Sequence, residues 1–468
     1  MRSIVFTALS LLFFSLQAQE TAEIRGNVVD ENNQPIPYTN IYIEVIKKGT
    51  TADESGNYVL KNIPYGTWKL TASDVGHSAV TKDITIDRPI ISNIDFQLKF
   101  DNALESVEIF GNRNHAPDKL EALTRLPLKP YEQIQSISVL SGKLIEDQGV
   151  LTIAEATKNV PGVYSFATYG NKRESMSSRG FRGIPILKNG VRVHSDFRGV
   201  GILTDMQGVD NIQILKGTAA ITQGVATDIG SPGGVINLVT KTPKYNSGGS
   251  ASVRVGSYGQ VRPTFDFFGP LNKEKNIAFR LNGALERKDS YRRLVAQESF
   301  YINPSFSWKV NDKTTFIAEL DHYYDSRTPD LGTVNLGEND VNAIYDLPHD
   351  QFLGFKNDRS ITENTTYALR VNHELNDRLT LKGAYYSSSL KLDDKGAGLG
   401  KVIVENDEPI YNLRQRSYAM STRDDSNNVL QFDLIGDNVH TGSIKHTFQV
   451  GFDYRTNHFN TTNQNSGV

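Results

Sequence analysis

The sequence predicts a mainly β protein made of three successive regions: a small β-sandwich, an α+β domain, and a run of about nine long strands. Three observations support this fold class. Residues 20–99 consist of short alternating runs between turn-forming clusters, and residues 126–243 combine alternating strands with a short helical pattern. Residues 247–468 repeat longer alternating runs. Apolar residues at every second position are the primary signal of a strand with one buried face.

The overall composition limits the classes of function. The chain has 468 residues and a net charge of −3, which is enough for about three domains of ~150 residues. A nearly balanced charge argues against a nucleic-acid-binding surface, because such domains are usually basic throughout. The chain contains no cysteine, and this excludes a disulfide scaffold, a thiolate metal site and a cysteine nucleophile.

Residues 1–19 are predicted to be a secretory signal peptide. Arg2 precedes an apolar run from Ile4 to Leu16, and small residues follow near Ala18. This order of charge, apolar run and small exit residues is typical of such a signal. A membrane-anchoring helix is the alternative, but the apolar run is short for one. No later apolar run is long enough for a membrane helix, so the mature chain is predicted to leave the cytoplasm without helical spans.

Residues 20–99 are predicted to form a small independent β-sandwich. Clusters such as Asn-Asn-Gln-Pro and Glu-Ser-Gly-Asn separate the alternating runs at roughly ten-residue spacing, which is typical of an all-β sandwich. The region resembles the carboxypeptidase-regulatory-like domain found at the front of many outer-membrane receptors of the Bacteroidetes type. It contains neither a nucleophile–base set nor metal-ligand spacing, so no catalytic role is expected.

Residues 100–125 are predicted to be a polar linker that contains one strand-forming segment. In position and pattern, "LESVEIFG" resembles a TonB box. Such a box adds its backbone to the edge of a partner's sheet, so alternation matters more than the identity of the side chains. The resemblance implies TonB, with its inner-membrane energising complex, as a partner; an ordinary linker strand is the alternative. The predicted box comprises Glu105, Ser106, Val107, Glu108, Ile109 and Phe110.

Residues 126–243 closely resemble the plug domain of TonB-dependent receptors. The segment "VLTIAEATKNVPG" predicts a short amphipathic helix that stops at Pro161-Gly162, whereas "VDNIQILKG" and "GGVINLVTK" alternate as strands. The resemblance rests on Gln135–Val139, Pro161–Val163, Arg179–Phe181, Asn189–Gly190, Lys216–Gly217, Gly224 and Pro232–Thr240. It implies structural roles for Arg179, Gly180, Phe181, Gly217, Gly224, Pro232, Gly233 and Gly234.

The two ends of this region favour the ferric-siderophore branch of the family, through "QSIS" at the start and "PGGVIN" at the end. Thr218 and Gln223 depart from residues common in the family, and "VATDIGS" is longer than the usual connection. These departures concern the shape of one loop and leave the resemblance of the domain intact.

Residues 247–468 are predicted to form transmembrane β-strands. In "NIAFRLNGALER", apolar Ile277, Phe279 and Leu281 alternate with polar Arg280 and Asn282, as lipid-facing and lumen-facing residues do. A soluble sandwich with one wet face is the alternative. The predicted strands are 250–257, 260–269, 276–287, 299–309, 314–324, 364–374, 378–391, 428–437 and 444–455.

The connections between these strands favour a membrane barrel. Tight turns at 272–275, 310–314 and 375–378 alternate with long segments at 325–363 and 393–427, and membrane barrels have short turns on one side and long loops on the other. The last residues, "TTNQNSGV", are expected to be loop-like. An odd number of strands leaves an edge open, and the resemblance implies about 22 strands. The region is therefore predicted to be the N-terminal part of a barrel.

The stretch from Met176 to Gly201 is the candidate ligand-binding segment, because it combines cations with glycines that turn the backbone tightly. In the resembled family, the upper loops of the plug form the floor of the ligand site. Arginines suit the oxygens of an anionic ferric chelate. Arg179, Lys188 and Arg192 are expected to pair with carboxylates instead. The predicted ligand-binding residues are Arg182, Phe197, Arg198, Tyr169 and Arg173.

No enzymatic constellation is present in the sequence. The nine histidines are scattered, and neither a His-Glu-x-x-His run nor a phosphate-binding glycine loop occurs. The predicted function is a TonB-dependent outer-membrane receptor that imports a ferric siderophore, has no resident cofactor or metal, and forms a monomeric barrel in outer-membrane lipid. Haem, cobalamin or oligosaccharide uptake, or a signalling or adhesion protein, are the alternatives.

Overall fold

The computed structural model describes residues 21–31, 33–74, 77–99, 120–128, 135–192, 203–217 and 232–467. The predicted signal peptide, the predicted TonB box, Phe197, Arg198 and Gly224 lie outside these ranges. The chain divides into two compact units, Met1–Asn112 and Arg113–Val468.

The first unit consists of two small sheets around one apolar core. Its strands are β1 (Thr21–Val29), β2 (Asn40–Ile43), β3 (Lys48–Thr51), β4 (Asn57–Pro64), β5 (Gly66–Asp74), β6 (His77–Ile86), β7 (Ile90–Ile91) and β8 (Phe96–Gln97). One sheet has the order β4-β1-β7, with β8 also paired to β1, and the other has the order β3-β2-β5-β6. Ile24, Ile41, Leu70 and Phe96 are almost completely buried between them.

Tyr58 makes the folding stability of the first unit depend on pH in the alkaline range. Its hydroxyl donates a hydrogen bond of 2.6 Å to the carbonyl oxygen of Ile94. Burial, and secondly the negative charge of Asp95, raise the pKa of Tyr58 above its ordinary value of 10.0. Because the folded pKa exceeds the unfolded one, this contribution to stability is complete below pH 10 and is lost as the pH rises above it.

We expect Tyr58→Phe to cost about 1 kcal/mol at neutral pH, since one hydrogen bond is lost, and to flatten the decline in stability above pH 10. The measurement is urea unfolding of the first unit at pH 7 to 11. Tyr38→Phe is the matched control, because Tyr38 is 63% exposed. If Tyr58→Phe and wild type decline equally at alkaline pH, Tyr58 does not cause this dependence.

The second unit begins with a small α+β domain at residues 120–240. Its elements are α1 (Glu121–Thr124), β9 (Ser136–Ser141), α2 (Gly142–Asp147), α3 (Ile153–Thr157), β10 (Val163–Ala167), β11 (Ser175–Ser178), β12 (Phe181–Arg182), β13 (Ile186–Lys188), β14 (Val191–Arg192), β15 (Val209–Lys216) and β16 (Gly234–Thr240), with a 3₁₀ turn at Met206–Gly208. One sheet has the order β14-β13-β16-β15-β9, and the other has the order β10-β11-β12.

The helix predicted before Pro161 is present but shorter than its pattern. The side chain of Thr152 accepts a hydrogen bond from the backbone N–H of Glu155 and caps the start of α3, as the N-cap preference of threonine predicts. The helix ends at Thr157. Val160 then donates to the carbonyl of Thr157 in a turn, and Gly162 adopts a φ of 78°, which starts β10.

Nine antiparallel strands in consecutive order complete the second unit. They are β17 (Gly248–Val255), β18 (Val261–Pro270), β19 (Ile277–Asp289), β20 (Ala296–Asn311), β21 (Thr314–Arg327), β22 (Arg359–Asn376), β23 (Leu379–Glu405), β24 (Glu408–Thr441) and β25 (Ile444–Gly467). Each predicted strand overlaps one observed strand. The long connection at 328–358 is also present and contains a 3₁₀ turn at Val341–Tyr345.

Two predictions about connections were wrong. The segment 393–427 is the upper part of the β23–β24 hairpin and turns tightly at Asn406 and Asp407, both with positive φ. The residues predicted to form a terminal loop are part of β25, paired with β24 up to Gly467. Cross-strand hydrogen bonds continue beyond the apolar alternation in these strands. The change to a polar sequence therefore marks where the apolar alternation ends, and the strand itself continues.

The two faces of the nine-stranded sheet differ in chemistry. One face carries buried polar side chains and packs against the α+β domain; they include Arg262, Asp266, Arg280, Asn282, Asn303, Glu319, Asp321 and Asn427. The other face carries exposed large apolar side chains, including Phe267, Leu285, Phe306, Trp308, Phe316, Tyr367, Leu369, Phe432, Val450 and Phe452. Among the described residues, no helix has the length and apolar character needed to cross a membrane.

Candidate ligand-binding site

Buried ion pairs hold the α+β domain against the polar face of the sheet. Lys188 on β13 contacts Asp321 on β21 at 2.6 Å, and both side chains are less than 5% exposed. The hydroxyl of Tyr301 donates to the other carboxylate oxygen of Asp321 at 2.7 Å. Arg262 on β18 contacts Asp205 at 2.6 Å in the same way. Such pairs are costly to break, because removing one partner leaves the other charge buried.

Gly208 allows the backbone of the domain to approach the sheet closely. A Cβ atom at this position would overlap the hydroxyl and ring of Tyr301. Tyr301 is 1% exposed and is held by Asp321, so the ring cannot move aside easily. This contact requires glycine because of close approach, since only hydrogen fits in the available space.

Arg125 joins the start of the domain to two strands at once. It follows α1, whose Leu123 packs on Leu187, Leu215 and Val235. Its guanidinium contacts Asp433 on β24 at 2.5 Å and Asp453 on β25 at 2.7 Å. Burial lowers the pKa of Arg125, but the hydrogen bonds to Asp453 and Asp433 outweigh burial and raise it above its ordinary value.

A loop at residues 168–174 lies at the same end of the sheet as the long connection 328–358. The carbonyl of Gly170 accepts from the backbone N–H of Asp330 at 3.1 Å. The guanidinium of Arg327 donates to the carbonyl of Asn171. Lys172 contacts Asp394 on β23 at 2.9 Å. The sheet and its longest connection therefore fix the position of this loop.

Glu174 anchors the loop from the other side. Its carboxylate accepts from the backbone N–H groups of Ile153 and Ala154, at 3.0 and 3.1 Å, where α3 begins. Burial raises the pKa of Glu174 even though these hydrogen bonds favour the charged form. The loop is therefore held both at its middle and at its last residue.

The predicted ligand residues within the described ranges are at least partly accessible. Tyr169 and Arg173 lie together in the loop, with the guanidinium of Arg173 4.2 Å from the centre of the Tyr169 ring. Arg182 is exposed on β12, 5.3 Å from the ring of Phe166. β10, β11 and β12 form one sheet, so Arg182 projects from the sheet whose first strand leads into the loop.

The cations expected to pair with carboxylates differ from one another. Lys188 pairs with Asp321, and Arg192 is 2% exposed. Arg179 is instead exposed, with a left-handed φ of 49°, and it pairs with no carboxylate of the described residues. Its backbone N–H donates to the carbonyl of Gly162, so the position serves a turn through its main chain.

The glycines of the predicted structural motif follow backbone geometry. Gly180, Gly217 and Gly234 have positive φ values of 84°, 104° and 101°. At Gly234 a Cβ atom would also overlap the carbonyl oxygen of Leu215. Because β15 and β16 pair there in antiparallel register, Lys216 opposite Gly234, glycine is needed for the strand to begin. Pro232 and Gly233 immediately precede it, and Gly233 packs beside Phe181.

Sequence reasoning missed Lys172, Arg125 and Arg327. Lys172 lies in the same segment as Tyr169 and Arg173, and its partner Asp394 lies 222 positions away. Arg125 ends a polar linker, and nothing in the local sequence marks it. For both residues, only the register of the strands places the aspartate partners next to the cation.

Two family models match the chain. The CarboxypepD_reg-like domain matches residues 24–109, and the TonB-dependent Receptor Plug Domain matches residues 129–235. The chain therefore contains the plug domain of TonB-dependent receptors, after a CarboxypepD_reg-like domain. The α+β domain of the second unit is this plug domain, and the motif residues from Gln135 to Gly234 lie within the matched range.

Curated relatives of this chain carry the names of metal-chelate receptors. The "Metal-pseudopaline receptor CntO" of Pseudomonas aeruginosa is 27% identical over 347 residues, covering 74% of this chain and 47% of the relative. The "Ferrioxamine B receptor" of Salmonella typhimurium is 26% identical over 360 residues, covering 72% and 47%. The chain spans about half the length of these curated relatives.

Solved structures give the same fold. The receptor in the "FpvAI-pyocin S2 complex" superposes with a TM-score of 0.68 at 19% identity, covering 83% of this chain and 50% of that one. The closed form of the "Ferric-Catecholate import receptor Fiu" of E. coli gives 0.62 at 24% identity, covering 73% and 49%. At these identities the likeness concerns the fold.

Proposed function

We propose that this receptor binds a ferric chelate outside the cell and imports it into the periplasm, driven by TonB and the inner-membrane complex that energises it. The observation that supports the proposal is the packing of the plug domain on the nine-stranded sheet. A domain matching the family's plug packs on the polar face of a sheet whose other face is apolar. A lumen-facing polar face and a lipid-facing apolar face are the two sides of a membrane β-barrel wall.

The nine-stranded sheet is, in this proposal, part of a barrel of about 22 strands. The edge strand β17 is exposed along its whole length. In lipid, an unpaired strand edge costs several kcal/mol for each unsatisfied backbone group, so further strands should pair with it. The proposed organisation is a signal peptide at 1–19, a periplasmic sandwich at 20–99, a linker with the TonB box at 100–125, the plug at 126–243 and barrel strands from 247.

The proposed ligand contacts lie on the surface of the plug. Tyr169, Arg173 and Arg182 are accessible there, and Phe197 and Arg198 are proposed from the sequence to join them. The cations suit an anionic chelate, and the aromatic rings suit apolar parts of the ligand. No catalytic residue is proposed, and the iron enters with its chelator as cargo.

Ferric-chelate binding and uptake test the function directly. A deletion strain carrying the receptor gene should bind and import radiolabelled iron presented with an anionic siderophore, and should grow on it under iron starvation. The "Metal-pseudopaline receptor" relatives favour a second cargo, a metal chelate other than a ferric one. If nickel or zinc chelates compete for surface binding and ferric chelates do not, the second cargo replaces the first.

Arg182→Ala is expected to weaken binding of the cognate ferric chelate roughly 10- to 150-fold. A charged hydrogen bond is worth about 1.5–3 kcal/mol. Arg182→Lys should restore part of the affinity, because the charge remains and the planar fork is lost. Surface binding at low and high salt measures both effects, since screening weakens an exposed charge. Binding within twofold of wild type would assign Arg182 a structural role.

Val107→Pro or Ile109→Pro is expected to abolish uptake and leave surface binding unchanged. Proline removes the backbone N–H that a strand donates when it joins a partner's sheet. The measurement is radioiron uptake by energised cells beside binding by de-energised cells. Asn112→Pro, beyond the box, is the control and should transport normally. Normal uptake by both box variants would exclude this segment as the TonB box.

A further inference from the structure

A cavity of about 380 Å³ lies between the plug loop 168–174, the connection 328–358 and the β23–β24 hairpin. Most of its wall is apolar or glycine. The larger apolar residues that line it are Pro329, Leu331, Val334, Phe352, Leu353 and Leu399. This volume lies in the range of small-ligand sites, which are mostly apolar with a few polar groups.

The wall formed by the connection is fixed in place by the hairpin. The guanidinium of Arg416 donates to the carbonyl of Leu353 at 2.6 Å, and that of Arg414 donates to the carbonyl of Asn335 at 2.9 Å. The carboxylate of Asp358 accepts from the backbone N–H of Ala397 at 3.0 Å. Hydrogen bonds between the connection and the hairpin therefore hold the walls of the cavity in place.

One ion pair lies at the plug side of the cavity. Lys172 donates to one carboxylate oxygen of Asp394 at 2.9 Å, and Ser360 donates to the other at 2.5 Å. Asp394 therefore has a donor on each oxygen. Lys172 has three N–H donors, and Asp394 takes one of them. The side chain of Lys172 is 24% exposed, so its remaining donors are accessible to an anionic ligand oxygen.

We propose that this cavity binds the apolar arm of an anionic metal chelate whose charged head contacts Lys172. The inference rests on the proposed function and adds to it that the cargo is amphiphilic, with an alkyl or aromatic arm. The aliphatic wall gains free energy by removing such an arm from water. A chelate without an arm would leave the cavity filled with water and lose that contribution.

Gly396 offers a way to fill the cavity without disturbing its walls. It lines the cavity on β23, and a Cβ atom there would approach nothing more closely than Asp358, at 3.9 Å. Gly396→Leu should therefore fold normally and occupy the space of the arm. Thr422→Leu is the matched control, because Thr422 is exposed on β24 opposite Asp393 and does not line the cavity.

The test compares the ferric complexes of two citrate-based dihydroxamate chelators. One carries acetyl groups on its hydroxamate arms and the other carries octanoyl groups, and they are otherwise identical. Binding of radiolabelled iron is measured on de-energised cells that carry the full-length receptor. We expect wild type and Thr422→Leu to bind the octanoyl probe at least about tenfold more tightly, and Gly396→Leu to prefer it less than about threefold. Lys172→Gln should weaken both probes by a similar factor and leave the preference intact.

Equal affinity of wild type for the two probes would overturn the inference, as would a preference that survives in Gly396→Leu. Leu331→Ser, at a position 66% exposed on the cavity wall, provides a second variant that should fold and should also reduce the preference. If wild type binds neither probe and no other ferric siderophore, the ferric-chelate function fails as well. Binding of ferric citrate with no gain from the octanoyl arm would overturn the inference alone.

Discussion

Arg125→Ala is expected to release the start of the plug from the sheet, at a cost of about 3–5 kcal/mol. The substitution leaves two carboxylates, Asp433 and Asp453, buried side by side without their shared cation; each is about 10% exposed or less. Like charges at this separation repel strongly in a site from which water is excluded. The loss is larger than for a surface pair, because both carboxylates are largely buried.

The absence of native cysteine makes this release measurable. Thr124→Cys, introduced at a position 1% exposed next to Arg125, reports opening of the segment by its rate of thiol labelling. Arg125→Ala should raise that rate more than roughly 100-fold, in proportion to the loss of local stability. Arg125→Lys should give an intermediate rate, because one amine cannot bond both aspartates as the guanidinium does.

Arg88→Ala is the control, since Arg88 is an exposed arginine of the first unit. Labelling of Arg125→Ala at the wild-type rate would show that the two aspartates do not depend on Arg125. Under the proposed function, the position of Arg125 means that its contact with the two aspartates would bear force during transport. It lies between the predicted box at 105–110 and the plug sheet, so a pull on the box would load this contact before it loads the core of the plug.

The strand pattern was predictable because it follows from period-two alternation imposed by one apolar face. Phe306 and Trp308 project from one side of β20, and Ser305 and Ser307 from the other, as the sequence indicated. The extent of the strands was not predictable in the same way. Lys391, Asp393 and Lys395 continue β23 beyond its apolar part. Polar side chains occur there on both faces, so hydropathy no longer distinguishes a strand from a loop.

The sequence was enough to predict which segments contribute to the site, but it was not enough to predict which residues pair with them. The sequence predicts Tyr169 and Arg173 as ligand contacts, and the structure places their segment beside the long connection. Lys188 was expected to meet a carboxylate, but nothing local indicates Asp321, 133 positions away. Such pairs depend on the register of β21 and on how the plug is seated, and both are tertiary properties.

Lys188→Met is expected to destabilise the plug by about 3–5 kcal/mol, and the second substitution Asp321→Asn should recover most of that loss. Alone, Lys188→Met leaves Asp321 charged and 2% exposed, and the hydroxyl of Tyr301 is then its remaining hydrogen-bond donor among the described residues. Removing one partner of a buried pair is costly, whereas replacing both with neutral groups of similar shape is often close to neutral. Asparagine at 321 can still accept the hydrogen bond from Tyr301.

A double-mutant cycle measured by urea unfolding separates the interaction energy of Lys188 and Asp321 from the effects of their other contacts. Ser177→Cys, on β11 and fully buried, reports exposure of the plug through thiol labelling in the detergent-solubilised receptor. Lys188→Met should lower the urea midpoint markedly, and the double variant should return near wild type. Lys143→Met is the matched control, because Lys143 is 41% exposed and its pair with Asp147 should be worth less than about 1 kcal/mol. Equal midpoints for Lys188→Met and Lys143→Met would mean that solvent reaches Asp321, and the plug would then be seated by packing, chiefly at Gly208 against Tyr301.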